Sequence, residues 1–234
     1  MEIPNYSSLG GIGSLENQEI YPHIDHTLLK AVSDWAGIEK LCEEAIKYGT
    51  ASVCVPPSYV ARIHQAYPKL NVCTVIGFPL GYNTTEVKVF EVRRAIADGA
   101  NEVDMVVNLG DVKNGDFDKV TAEIAALKQE AGSHILKVIV ETCYLTQEEK
   151  VALCKCVTDA GADFIKTSTG FGTGGAKLED VLLFRRHIGK QVKIKAAGGV
   201  KSKADLEMFL NAGCERIGTS SAISILTAGK SDTY

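Results

Sequence analysis

One phrase recurs along the chain and limits the folds open to it: a helical stretch that stops on glycine and is followed at once by a short apolar run. Lys47-Tyr48-Gly49 precedes Ala51 to Val55, and Asp98-Gly99-Ala100 precedes Glu102 to Val107. Ala160-Gly161-Ala162 precedes Asp163 to Lys166, and Asn211-Ala212-Gly213 precedes Glu215 to Gly218. Glycine accepts the left-handed conformation that closes a helix, so each phrase reads as a helix end feeding a strand. Repeated, it is the pattern of βα units. Val72 to Ile76, Ile135 to Val140 and Val192 to Ala196 are three further apolar runs, and Ile20 to Asp25 is a weaker first strand, which brings the strands to eight.

The intervening segments carry helical periodicity. Ile38, Leu41, Cys42, Ala45 and Ile46 form one apolar stripe, and Val120, Ile124 and Leu127 another. Thr146 with Glu149, and Ser202 with Asp205, place a polar cap three residues ahead of an acidic partner, which marks two helix starts. Eight strands alternating with helices in 234 residues predict a closed (β/α)8 barrel, with an open doubly wound sheet as the lesser alternative. One domain accounts for residues 21–234, including a short C-terminal tail after Ala228. Residues 1–20 form an N-terminal extension outside the repeat, and glycine and serine in both tails suggest mobility.

Composition removes several functions. A formal net charge of −4 and no long basic run argue against nucleic acid as a partner. No stretch reaches the length of a membrane span, and the first twenty residues lack the apolar core of a signal peptide, so a cytoplasmic protein is expected. Seven scattered cysteines do not form a disulfide framework. Cys154-Lys155-Cys156 lacks metal spacing, Cys54 and Cys73 read as small core residues, and the five histidines share no ligand spacing; no metal is expected.

The chemistry is concentrated in three residues. Lys166 follows Phe164 and Ile165 in what reads as a buried strand, where an ammonium is costly unless paired or used. Lys195 lies at the end of the next strand, and Asp104 interrupts Val103 and Met105. Barrels keep their chemistry at the carboxyl ends of strands. Two lysines beside one carboxylate suit a lysine nucleophile, whose Schiff base stores electrons while a neighbouring carbon–carbon bond breaks, with Asp104 and Lys195 moving protons. An internal ion-pair network is the alternative. After the seventh and eighth strands, Gly198-Gly199 and Gly218-Thr219-Ser220-Ser221 offer backbone donors and hydroxyls to a phosphate, or form ordinary turns.

Six phrases together, Tyr21 to Lys30, Gly77 to Gly81, Asn83 to Lys88, Glu102 to Val106, Phe164 to Phe171 and Lys195 to Val200, resemble the deoxyribose-phosphate aldolase family from about Tyr21 to the C-terminus. The resemblance implies a metal-independent, cofactor-free class I aldolase of deoxyribonucleoside catabolism that acts on a phosphosugar as a dimer or larger homo-oligomer. It implies Lys166 as the Schiff-base lysine, Asp104 and Lys195 as the proton-transfer pair, and Gly170, Gly198, Gly199, Ser220 and Ser221 as phosphate contacts. Asp25 matches a polar position expected to bind a substrate hydroxyl or water, or else to cap a helix. Some members have lysine where this chain has Phe171, which shifts phosphate binding toward backbone amides and Lys201. The terminal Tyr234 matches a residue that contributes to proton transfer in some relatives. A phosphosugar isomerase and a non-catalytic sugar-binding barrel are the competing readings.

Overall fold

The computed structural model describes residues 14–228. Eight parallel strands close into a barrel in sequence order: β1 (Ile24–Thr27), β2 (Ser52–Val55), β3 (Val72–Ile76), β4 (Glu102–Val106), β5 (Ile135–Ile139), β6 (Phe164–Lys166), β7 (Lys193–Ala197) and β8 (Arg216–Thr219). β1 pairs with both β2 and β8, which completes the ring. The helices are α1 (Asn17–Ile20), α2 (Trp35–Tyr48), α3 (Val60–Ala66), α4 (Thr85–Ala97), α5 (Leu109–Asn114), α6 (Phe117–Ala131), α7 (Gln147–Asp159), α8 (Leu178–His187), α9 (Lys203–Asn211) and α10 (Ala222–Thr227). None of the described helices is long and apolar enough to cross a membrane.

Local sequence sets the helix ends. The Asp34 side chain accepts the Gly37 N–H at the start of α2, and Gly49 closes that helix at φ 72°. Both expected capping boxes form, Thr146 with Glu149 on α7 and Ser202 with Asp205 on α9. Two details differ from the sequence reading. Ile20 and Tyr21 belong to α1 and a 3-10 turn, so the first strand begins only at Ile24. Ile46 is exposed, because the buried stripe of α2 is narrower than the periodicity implied.

Residues 14–20 are docked instead of loose: Asn17 donates to the carbonyl of Leu226 at 2.7 Å, and the Glu207 carboxylate accepts the Leu15 N–H at 3.0 Å. Ile20 is fully buried by this packing.

Strand alternation sorts the side chains. Val53, Val103, Met105, Leu136, Val138, Ile165, Ile194 and Ile217 join the apolar core shared with the helices. Their neighbours Asp25, Glu102, Asp104, Lys137, Lys166 and Lys195 are all buried and paired to one another. Barrel interiors are usually filled by branched apolar residues. Here the interior is ionic.

Candidate active site

Register builds the site. Asp104 on β4 lies opposite Lys137 on β5, and Lys166 on β6 lies opposite Lys195 on β7. Closure of the barrel turns all four inward. Asp104 Oδ2 accepts from Lys195 Nζ at 2.7 Å and from Lys166 Nζ at 2.9 Å, and its Oδ1 accepts from Lys137 Nζ at 2.9 Å. The Cys73 thiol donates to Oδ1 at 3.1 Å. Below them Lys195 also meets Asp25 at 2.5 Å, Lys137 meets Glu102 at 2.5 Å, and Arg216 bridges Asp25 and Glu102 at 2.6 and 2.9 Å.

Four cations, Lys137, Lys166, Lys195 and Arg216, therefore share three carboxylates, Asp25, Glu102 and Asp104. One cation is in excess. Lys166 is the least paired of the four, with a single carboxylate contact against two or three for the others.

Burial by itself would raise the Asp104 carboxyl, but the ammonium groups of Lys137, Lys166 and Lys195 outweigh it and hold it well below the usual carboxylate range. Burial likewise pulls Lys195 and Lys137 down, yet Asp104 leads the opposing carboxylates and both stay above the ordinary lysine value. Burial, with Cys54 and Asp104 beside it, pushes the Cys73 thiol well up, so it remains a donor. Cys54, Cys73 and Asp104 bring three potential ligand atoms within 4.8 Å of one another, but the carboxylate is already taken by three ammonium groups, which would repel an added cation.

A cavity of about 410 Å³ opens over this cluster at the carboxyl ends of the strands, and Lys166 lines it. Asp104 and Lys195 do not; Asp104 meets Lys166, and Lys195 meets Asp104. The rest of the wall comes from the loops after β6, β7 and β8, where Gly170, Gly198, Gly199, Ser220 and Ser221 all line the cavity. Gly198 and Gly199 have φ of 80° and 76°, which side-chain-bearing residues rarely adopt. Gly218 leaves little space: a Cβ there would stand 3.0 Å from Lys195 Cε and 3.2 Å from Ala197 Cβ.

Three expectations need correction or placing. Asp25 neither faces the cavity nor caps a helix; β1 turns it into the barrel, fully buried, where it binds Lys195, Arg216 and the Ser52 hydroxyl. Lys201 is exposed and absent from the cavity wall, since the chain turns outward after Val200 to cap α9 through Asp205. Tyr234 lies outside the described residues. Phe171 does line the cavity and meets Phe78 edge-on, ring centres 5.3 Å apart.

Sequence reasoning missed Lys137, Glu102, Arg216 and Lys30. The first two sit on the same strand faces as Asp104 and were legible by alternation, but Lys137 was passed over inside an apolar run. Lys30 is exposed at the cavity wall on the loop after β1. Cys54 and Cys73, taken for core residues, are buried as expected, with the Cys73 thiol turned onto Asp104.

Residues 21–226 match the model of the DeoC/LacD family aldolases. A deoxyribose-phosphate aldolase of Clostridium botulinum is 61% identical over 221 residues, covering 94% of this chain and 100% of that protein. One of Clostridioides difficile is 57% identical over 210 residues, covering 89% and 96%. A solved tetrameric deoxyribose phosphate aldolase from Aeropyrum pernix superposes with a TM-score of 0.85 at 31% identity, covering 93% of this chain and 94% of that one.

Proposed function

The chain belongs to the DeoC/LacD family of aldolases, and on that premise we propose that it reversibly cleaves 2-deoxy-D-ribose 5-phosphate to acetaldehyde and D-glyceraldehyde 3-phosphate through a Schiff base on Lys166. Relatives so named at 57–61% identity support the substrate. The observation that carries the assignment of Lys166 is that, of the three lysines around Asp104, it alone lines the cavity.

The Lys166 amine adds to the C1 aldehyde of the open-chain sugar, and water leaves to give an iminium. The C2–C3 bond then breaks as the C3 hydroxyl gives its proton, through water, to the Asp104 carboxylate; the bond electrons pass into the iminium, giving the enamine of acetaldehyde and free glyceraldehyde 3-phosphate. Protonation of the enamine carbon and hydrolysis release acetaldehyde and restore Lys166. Asp104, a carboxylate in the resting site, is the anion beside the iminium; it holds the proton taken from C3–OH, with Lys195 on the same Oδ2, until the enamine carbon takes it. The glycines and serines after β6, β7 and β8 receive the phosphate.

A homo-oligomer, dimer or larger, is part of this reading. It is supported by Leu80, Tyr82, Val87 and Phe90, which are exposed along one stretch that runs into α4. A cytoplasmic location also belongs to it.

Acetaldehyde release from deoxyribose 5-phosphate, followed in the parent and in Lys166→Leu, tests the reaction. Turnover is expected in the parent only, with the circular dichroism of the variant unchanged; substantial activity in Lys166→Leu refutes the covalent route.

A further inference from the structure

Just beyond β5 the backbone does something found at no other non-glycine among the described residues: Glu141 takes a positive φ, 55° with ψ 65°. Only a well-determined surrounding keeps a glutamate in the left-handed region. Its side chain is 2% exposed, and among the described residues no lysine, arginine or histidine pairs with it. A buried carboxylate without a cation must be satisfied by hydrogen-bond donors.

The donors come from the loop that follows β6. Glu141 Oε1 accepts the Thr169 N–H at 3.1 Å and the Cys143 thiol at 4.0 Å, and Oε2 accepts the Thr169 hydroxyl. Thr169 Oγ1 in turn accepts the Phe171 N–H at 2.9 Å. The same segment runs alongside the nucleophile's strand: Val140 N–H donates to the Lys166 carbonyl at 3.0 Å and Thr142 N–H to that of Thr167 at 2.9 Å. Gly172 packs so closely that a Cβ there would lie 2.9 Å from Cys143 Sγ and 3.1 Å from Glu141 Cδ. Thr169, Gly170 and Phe171 line the cavity; Glu141 does not.

We propose that Glu141 is a positioning residue that clamps Thr169, Gly170 and Phe171 into the cavity wall and so governs binding of the phosphorylated end of the substrate, not the chemistry at Lys166. The inference rests on the deoxyribose 5-phosphate reading above. The left-handed backbone aims the carboxylate back at the loop, and each of its oxygens holds one donor of Thr169. Removing the carboxylate frees the loop while Lys166, anchored by β6 and Asp104, stays in place.

Glu141→Gly is the informative variant, because glycine keeps the backbone conformation without strain while the carboxylate goes with the rest of the side chain. We expect KM for deoxyribose 5-phosphate to rise about tenfold with kcat within about threefold of the parent. Glu141→Gln accepts from one Thr169 donor instead of two, and its KM should rise about threefold. An unchanged KM, or a fall in kcat at constant KM, overturns the proposal. If Glu141→Gly does not fold, a parent-like KM in Glu141→Gln overturns it equally. A parent that neither turns over deoxyribose 5-phosphate nor traps it on Lys166 defeats the underlying reading, whereas an active parent beside an unaffected variant defeats only the role of Glu141.

Discussion

Asp104→Asn removes the charge that three ammonium groups share at 2.7 to 2.9 Å while leaving the size of the side chain nearly unchanged. The cluster then holds four cations and two carboxylates, Asp25 and Glu102. Breaking a buried ion pair from one side costs about 3–5 kcal/mol, because the remaining charge is left desolvated. The asparagine carbonyl still accepts one hydrogen bond, so we expect the lower end, about 3 kcal/mol, a large share of the roughly 5–15 kcal/mol that stabilises a domain. The pH dependence identifies the cause. In the parent, Lys137 and Lys195 lie above the usual lysine value, so their stabilising contribution is complete below about pH 10 and is lost only as pH rises through the folded values. Asparagine removes the carboxylate that contributes most to raising both, and burial then pulls them down. A lysine lowered in the folded state destabilises at neutral pH and is relieved as pH rises toward about 10. Guanidinium unfolding of both proteins at about pH 7 and about pH 9.5 should therefore show a gap that narrows at the higher pH. A gap under about 1 kcal/mol at neutral pH, or one that does not narrow, refutes the view that Asp104 organises this charge.

Other consequences are simpler to state. Lys166→Leu brings the cluster to three cations and three carboxylates, so its stability should be within about 1 kcal/mol of the parent or above it, measured by the same unfolding curves. Lys195→Leu should lower kcat roughly 10²–10⁴-fold, since the proton partner of Asp104 is lost; a steady-state assay with unchanged kcat contradicts that role. Gly199→Ala meets no steric neighbour closer than 4.0 Å, but its φ of 76° is costly for alanine. Strain there should raise KM for the phosphorylated substrate about tenfold at nearly constant kcat, read from Michaelis–Menten curves.

The fold was legible because four of the eight strands, β2, β4, β6 and β8, are announced by a glycine-stopped helix, and β3 and β4 fall where the apolar runs of the sequence lie. Lys166, Asp104 and Lys195 stood out as charged residues inside such runs. What the sequence concealed is the depth of the network. Lys137 pairs with Asp25, Glu102 and Asp104, residues on two strands that closure brings together, and Arg216 reaches Asp25 across the join of the last strand to the first and Glu102 across the barrel interior. Nothing local to Asp25 distinguishes a substrate contact from a core ion pair; that depends on how far along the barrel axis its strand places it. Glu141 was hidden for a related reason. It follows an apolar run as any loop glutamate does, and its meaning lies in a backbone angle and in a loop 28 residues away.

The central claim is that Lys166 bonds covalently to substrate. Treatment with sodium borohydride in the presence of deoxyribose 5-phosphate or acetaldehyde, followed by intact-mass measurement and peptide mapping, tests it most directly. A stable adduct on the peptide carrying Lys166, absent from Lys166→Leu, is the predicted result; substrate that binds without leaving an adduct, or an adduct on Lys137 or Lys195, contradicts it.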